Sequence, residues 1–312
     1  MQQRNTCGPV PQRITANNIF NSATRPISTM DHARVRHDPI QWPNGARVAV
    51  TWTVIFEMVS APQVTFYPDQ PIPAGPYGGN DVKWTMYGGR RGVWRILDLL
   101  DLHQMKASFL VGGYAAERFP SAVQEIHRRG HEIAGYGYAS NRHLEELTPS
   151  EEKLDILKTL DILEKLTGTR PVGWVSPDLR PGDHTLEVLA GAGIMWNGDF
   201  PNDDLPYKIQ VNGKPLVIIP YTKESDDKEI LLQNWQPPSV WADCFIDGLD
   251  TLYEEGETHP KMLNASMRAH SLCRSVGKLA IDRAMRYAKS VPKVWFTTRT
   301  EIAKWWLERQ YS

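Results

Sequence analysis

The sequence has few cysteines, and their spacing matches no cysteine-based site. Cys7, Cys244 and Cys273 are three in number and lie far apart in the 312 residues. They fit no zinc-ligand pattern, and an odd, scattered set does not predict a disulfide framework. A reducing compartment, the cytoplasm, is therefore the predicted location of the chain.

The sequence also lacks long apolar runs and an excess of charge of either sign. No apolar stretch approaches the roughly 20 residues that span a bilayer, and residues 1–7 lack the apolar core of a signal peptide. The formal net charge is −1 and the isoelectric point is about 6.8. Nothing in this charge balance would attract nucleic acid or an anionic membrane, so we expect neither as a partner.

Alternating strand-like and helix-like segments predict the fold class. Apolar, β-branched runs such as residues 46–57 alternate with helical patterns such as residues 91–102, as is typical of parallel α/β proteins. Residues 1–40 show no lasting period and are predicted to form an extended N-terminal arm. No linker or repeat divides the remainder, so residues 41–312 are predicted to form a single, barrel-like α/β domain.

Two polar features follow predicted strands. The stretch from Arg129 to His143 contains a helix stop, the short apolar run 131–135, and then small and polar residues without periodicity. Glu57 ends the strand predicted over residues 46–57. Because α/β enzymes place their chemistry at the carboxyl ends of parallel strands, both features are candidates for the active site.

A long loop that contains aromatic residues is predicted over residues 62–89. It carries repeated prolines and glycines together with Tyr77, Trp84 and Tyr87. Loops of this length in compact domains are usually functional or disordered. Trp84 and Tyr87 are therefore candidate substrate contacts.

Several short motifs occur in a recognisable order. In the middle of the chain they are Arg91–Leu100, Lys106–Phe109 and Arg129–Ala134; later they are Arg170–Trp174, Asp203–Tyr207, Ile219–Thr222, Pro260–Leu263 and Val294–Phe296. The first series resembles the polysaccharide deacetylase (NodB homology) superfamily. The second resembles its branch that contains metal-independent allantoinase and related cyclic-amide hydrolases. This resemblance covers residues 40–308 and implies a distorted (β/α) barrel.

The resemblance also shows where this chain departs from the family. Metal-dependent members carry an Asp after the first strand and a His-x-x-x-His pair after the third, whereas this chain has Glu57, Tyr136 and Ser140 there. One carboxylate, a phenol and a hydroxyl are a poor ligand set for a divalent metal. We therefore predict no cofactor. The alternative is that His143 substitutes as a ligand and a metal such as zinc is bound.

Without a metal, amide hydrolysis needs a base for water and donors for the developing oxyanion. Glu57 is the predicted base, because burial would raise its carboxyl pKa towards neutrality. Tyr136 and His143 are candidate donors. The allantoinase branch also has a His soon after its Met-Leu strand; the matching region here is longer, so Arg268 and His270 are both candidates for that role.

Candidate substrate-binding residues complete the predicted site. Asp178 and Arg180 lie where the allantoinase branch has a substrate-binding loop, although the local pattern differs. The full predicted set is Trp84, Tyr87, Ser140, Asp178, Arg180 and Arg268.

The predicted function is hydrolysis of a non-peptide carbon–nitrogen bond in a small amide, cyclic amide or ureide, by metal-independent acid–base catalysis. One alternative is a metal-dependent polysaccharide or N-acetyl sugar deacetylase. The other is a catalytically inactive relative that serves as a binding subunit. The resemblance further implies a homo-oligomer.

Overall fold

The computed structural model describes residues 40–60 and 81–309, which all belong to a compact unit spanning residues 38–312. The predicted N-terminal arm lies outside the described residues except for Ile40. The same is true of residues 61–80, which form most of the predicted aromatic loop.

The described strands form one mixed sheet. They are β1 (Val48–Phe56), β2 (Ser108–Val111), β3 (Glu132–Gly135), β4 (Gly173–Trp174), β5 (Trp196–Asn197), β6 (Tyr207–Val211), β7 (Lys214–Ile218), β8 (Lys261–Arg268) and β9 (Val294–Thr297). Their order is β6-β7-β5-β4-β3-β2-β1-β8, and β9 pairs with the first half of β1. All pairs are parallel except β6 with β7. The predicted α/β class, a distorted barrel, is confirmed.

The helices connect these strands. They are α1 (Asp81–Tyr87), α2 (Val93–His103), α3 (Gly113–Arg118), α4 (Pro120–Arg128), α5 (Pro149–Thr167), α6 (Thr185–Gly191), α7 (Pro238–Glu255), α8 (Ser275–Ser290) and α9 (Arg299–Glu308). Two π-helical segments, Gly88–Gly92 and Lys228–Gln233, add to them. None of the helices in the described part of the chain is both long and apolar enough to cross a membrane.

The strand β1 is the centre of the sheet. It pairs with β8 along one side and with β9 and then β2 along the other, so all nine of its residues are buried. Apolar side chains such as Val48, Val50 and Trp52 contribute to the main apolar cluster of the protein. A strand buried in this way reads as a nearly continuous apolar run, which is why the sequence predicted it.

The segment that follows β7 packs against β8, the strand at one edge of the sheet. Asp226 makes a parallel bridge with Ser266 of β8. The Ser225 hydroxyl donates to the carbonyl of Asn264, and the indole of Trp241 donates to the carbonyl of Ser225, 3.0 Å away. These contacts hold the chain from Asp226 to Lys228 beside the carboxyl end of β8.

Three sequence-based boundaries were wrong. Residues 81–87, predicted as part of a loop, form α1. The sequence pattern of residues 115–129 predicts one helix that ends at Gly130, but the structure has two helices, because Pro120 lacks an N–H and instead begins α4. The strand predicted over 261–265 continues to Arg268, where it reaches the candidate site.

Candidate active site

Glu57 lies directly after β1 and is buried under the site. Its side chain is 1% exposed. Burial raises the pKa of its carboxyl to about 7, although the nearby positive charge of Arg268 opposes the shift. Oε1 accepts a hydrogen bond from Nε of Arg268 at 3.0 Å, whereas Oε2 has no hydrogen-bond partner among the described residues. Glu57 can therefore exchange a proton near neutral pH.

Arg268 connects Glu57 to two further carboxylates. One guanidinium nitrogen donates to Asp226 at 2.5 Å and to Asp227 at 3.0 Å. Burial disfavours the charge of Arg268, but Asp226, Glu57 and Asp227 raise its pKa well above the usual value. Asp227 also accepts from the backbone N–H groups of Arg268 and Leu272. The guanidinium is thus fixed in place at the carboxyl end of β8.

A cavity of about 370 Å³ opens above this pair. Its lining consists of Val59, Tyr136, Ser140, Asn141, His143, Glu146, Val175, Asp178, Leu179, Arg180, Tyr221, Lys223, Asp226, Lys228, Glu229, Gln233 and Arg268. Glu57 is absent from this lining, so its carboxyl lies behind Tyr136 and Arg268. The volume is in the range of small-molecule sites.

Asp178 occupies the wall of the cavity with two partners. One carboxylate oxygen forms an ion pair with the ammonium of Lys228, and the other lies 3.1 Å from Nε2 of His143. A guanidinium N–H of Arg180 lies 2.6 Å from Nδ1 of His143. Nδ1 also lies 3.3 Å from a carboxylate oxygen of Glu146. Because the Arg180 donor is the closer of the two, the contacts favour Nδ1 as the acceptor and a proton on Nε2, facing Asp178. Burial opposes the charge of Asp178, but His143, Lys228 and Arg268 lower its pKa below the usual range.

Tyr136 interacts with both Glu57 and Asp178. Its hydroxyl accepts a hydrogen bond from the backbone N–H of Asp178 at 3.1 Å. Burial and the charges of Glu57 and Asp178 raise its pKa well above the usual value, so the phenol stays protonated. Ser140, four residues further, is buried and also lines the cavity.

Known proteins resemble this chain in sequence and in structure. A family model described as polysaccharide deacetylase matches residues 81–196. A Schizosaccharomyces pombe protein named "Putative polysaccharide deacetylase" is 26% identical, over 86% of this chain and 93% of its own. The solved structure of Puue allantoinase is 29% identical with a TM-score of 0.79, covering 88% of this chain and 95% of its own. That of a "probable Polysaccharide deacetylase" from Pseudomonas aeruginosa is 29% identical with a TM-score of 0.76, covering 86% and 94%.

The chain therefore resembles the polysaccharide deacetylase (NodB homology) superfamily in sequence and in fold. The names of these relatives are those of hydrolases, which agrees at that coarse level with the predicted hydrolase. The predicted resemblance to both deacetylases and an allantoinase is likewise confirmed.

The described residues of this chain do not provide the donor set of a metal site. No group of three or more His, Cys, Asp or Glu side chains in residues 40–60 and 81–309 is arranged to hold a metal ion. The guanidinium of Arg268 lies 3.0 Å from Glu57, so a positive charge already faces the carboxylate. The hydroxyl of Tyr136 is a weak neutral ligand. These residues do not fit a divalent cation.

Three predicted site residues lie away from the cavity. His270 is buried, and burial together with Arg268 lowers the pKa of its imidazole well below the usual value. Trp84 and Tyr87 both contact the Arg274 guanidinium, whose Cζ is 3.7 Å and 4.1 Å from the two ring centroids. None of the three lines the cavity formed by the described residues.

The structure adds charged residues that the sequence had not indicated. Asp226, Asp227 and Lys228 lie between β7 and β8 and face the site. They follow the family-like motif Ile219–Thr222 within a few residues, so a run of charges soon after that motif was the available signal. The run has no helical or strand period, so the sequence pattern alone does not single it out.

Proposed function

We propose that this protein hydrolyses a non-peptide carbon–nitrogen bond in a small amide, cyclic amide or ureide without a metal. The observation that carries the proposal is the buried Glu57–Arg268 pair below a cavity of about 370 Å³. Glu57 has a pKa of about 7 and one oxygen without a hydrogen-bond partner among the described residues, as a proton acceptor requires.

The proposed reaction uses groups on both sides of the cavity. Water attacks the carbonyl carbon, its proton passes to Glu57, and the carbonyl oxygen becomes an oxyanion. Because Glu57 lies behind the lining, the proton reaches it through a water molecule or the Tyr136 hydroxyl. Arg268 and Lys228 supply positive charge near the oxyanion. The leaving nitrogen then takes up a proton as the carbon–nitrogen bond breaks, giving a carboxylate and an amine.

His143 is the proposed donor to the leaving nitrogen. It lines the cavity, and its Nε2 proton faces Asp178 at 3.1 Å. The negative charge of Asp178 stabilises the imidazole in that orientation and would stabilise an imidazolium. A neutral imidazole is too weak an acid to lose its only proton, so the ring gives the Nε2 proton to the leaving nitrogen as Nδ1 takes up a proton from solvent, and the ring stays neutral through the turnover.

A substrate screen tests the proposal. The full chain would be incubated with small amides, lactams, imides and ureides, and with N-acetylglucosamine oligomers, while release of amine, ammonia, acetate and other carboxylates is measured. We expect turnover of a small amide or ureide that survives exhaustive chelation. Zinc-dependent release of acetate from the oligomers alone would contradict the proposal and support a metal-dependent deacetylase.

A binding subunit is the second candidate, because the Glu57 carboxyl is covered by Tyr136 and Arg268 and does not reach the cavity lining. In that case small amides would bind without turnover. Calorimetric binding together with no product from any compound in the screen would favour this candidate over the hydrolase.

A further inference from the structure

Lys228 and Asp178 form an ion pair on the cavity wall. The Lys228 side chain is 11% exposed and that of Asp178 is 20% exposed. Both line the cavity, so the exposed fractions of a donor and an acceptor face the same space. An ammonium carries three N–H donors and a carboxylate oxygen accepts more than one hydrogen bond. Within the described residues Asp178 is the hydrogen-bond partner of the ammonium, which leaves donors available for a ligand.

The backbone on both sides holds this pair in place. Asp178 and Leu179 both have φ of 57°, a left-handed conformation that is uncommon for residues with a side chain. This turn directs the carboxylate of Asp178 to Lys228 and His143 while its N–H donates to Tyr136. Opposite, the backbone N–H of Lys228 donates to Asp226 at 2.7 Å.

The charges around the cavity are compensated. Besides the Lys228 pair, the guanidinium of Arg268 contacts Asp226 and Asp227. Arg180 contacts Glu146 at 2.8 Å, and Lys223 contacts Glu229 at 3.2 Å.

This pairing has a consequence for ligand charge. An anionic ligand would have to displace a carboxylate from one of these cations, at the cost of breaking a partly buried ion pair. An uncharged ligand has no such cost.

We propose that Lys228 and Asp178 together bind the –CO–NH– edge of an uncharged cis amide, such as the edge of a cyclic ureide. Lys228 donates to the carbonyl oxygen and Asp178 accepts from the adjacent N–H. In a cis amide these two groups point to the same side, so one edge of the ligand can face both Lys228 and Asp178, which line the same cavity. Open-chain secondary amides favour the trans form, whereas small rings are fixed in the cis form.

The inference rests on the proposed function, because it names the ligand feature that the same cavity recognises. Binding and hydrolysis are nevertheless separate measurements. The probe is hydantoin, an uncharged five-membered ureide, and 1,3-dimethylhydantoin is the matched compound without N–H groups. Binding to the full chain would be followed by calorimetry, with hydrolysis monitored in parallel.

Two variants and one control complete the experiment. Lys228→Met removes the donor, and Asp178→Asn removes the negative charge with little change in shape. Lys304→Met is the control, because Lys304 is exposed on α9 and pairs only with Glu301 among the described residues. Thermal unfolding of each variant reports whether it is folded.

We expect the wild type and Lys304→Met to bind hydantoin at least about tenfold more tightly than 1,3-dimethylhydantoin, since hydrogen bonds to charged groups have this size. Lys228→Met and Asp178→Asn should weaken hydantoin binding by a similar factor. Equal binding of the two compounds, or no binding of hydantoin, overturns the inference even if neither variant folds. Hydantoin bound but never hydrolysed, with no turnover elsewhere in the screen, would leave the inference standing and contradict the proposed hydrolase.

Discussion

Glu57 and Arg268 are 211 residues apart in sequence and form one buried pair. The register of β1 and β8 brings them together, because Ile55 is the direct partner of Arg268. Either residue alone would be costly to bury as a charge. When the two residues are paired, Arg268 keeps its positive charge, while the carboxyl of Glu57 titrates near neutral pH. That combination suits a proton acceptor better than a structural ion pair.

The first prediction concerns Glu57→Gln. Only ionised Glu57 can accept a proton, and its pKa is about 7. On the substrate found in the screen, the wild-type kcat/KM should therefore rise between about pH 5 and pH 7 and level off above pH 8. Glu57→Gln should lower the rate by about 100-fold or more and abolish the rising limb.

Glu308→Gln is the matched control, because Glu308 is exposed at the end of α9. It should keep both the wild-type rate and the wild-type pH profile. A Glu57→Gln variant that retained the full rate would remove Glu57 as the base.

The sequence indicated much of this site, for a physical reason. Glu57 and Tyr136 follow buried strands, and the carboxyl ends of parallel strands meet at one edge of a sheet. Lys228 could not be found in this way, because its place depends on how the segment after β7 packs against β8. His270 also follows a strand end, but it is buried and does not line the cavity formed by the described residues.

At the scale of elements, α5 has the most complete capping signal in the sequence. The backbone N–H of Glu151 donates to the Thr148 hydroxyl, and the N–H of Thr148 donates to the Glu151 carboxylate at 3.0 Å. Thr148→Ala removes one half of this capping box and should lower the free energy of unfolding by about 1 kcal/mol. Thr251→Ala, on the exposed side of α7, should have almost no effect in the same urea titration. Equal effects of the two substitutions would contradict the capping role.

A second element-scale prediction concerns the contact of the α2 N-terminus with the end of β8. A Cβ added at Gly92 would lie 1.7 Å from the carbonyl oxygen of Ala269. Gly92→Ala should therefore destabilise the protein by at least about 2 kcal/mol and, by displacing Ala269, should disturb Arg268. Gly191→Ala at the end of α6 meets no atom within 4 Å and should be neutral or stabilising by up to about 1 kcal/mol. Chemical denaturation of both variants tests the contrast, and a stable Gly92→Ala protein would contradict it.

Element boundaries were predictable where local chemistry decides them. Thr148, Pro149 and Gly168 predict the start and the end of α5, and the structure agrees. The hairpin of β6 and β7 was missed although Asn212-Gly213, both at positive φ, is a typical two-residue hairpin turn. The end of β8 was not predictable, because polar residues after Ala265 interrupt the apolar pattern while pairing with β1 continues to Arg268.

At the scale of the whole molecule, the site depends on an incomplete barrel. The sheet runs from β6 to β8, and the segment around Asp226 forms a parallel bridge with the edge strand β8. This arrangement places Asp226, Asp227 and Lys228 beside the carboxyl end of β8. The cavity lies at the carboxyl ends of the strands, so strand order and an irregular crossing segment together determine its lining.

The last prediction concerns the free energy of unfolding of the whole protein, which should depend on pH through the carboxyl of Glu57. The pKa of its carboxyl is about 7 in the folded chain against an ordinary value of 4.5. Between these values the native state retains a proton that the unfolded chain releases, so the unfolding free energy falls as pH rises from 4.5 to 7 and this contribution is constant above. The full change in unfolding free energy is about 3 kcal/mol by linkage.

The variant Glu57→Gln isolates this contribution, because its amide cannot titrate. All other titratable groups are the same in the wild type and the variant. They include His131, whose lowered pKa of about 4 has the opposite effect on the pH dependence. The difference in unfolding free energy, wild type minus Glu57→Gln, should therefore decrease between pH 4.5 and pH 7 in urea titrations. A difference that stays constant, or increases, over this window would show that the Glu57 carboxyl is not held protonated by burial.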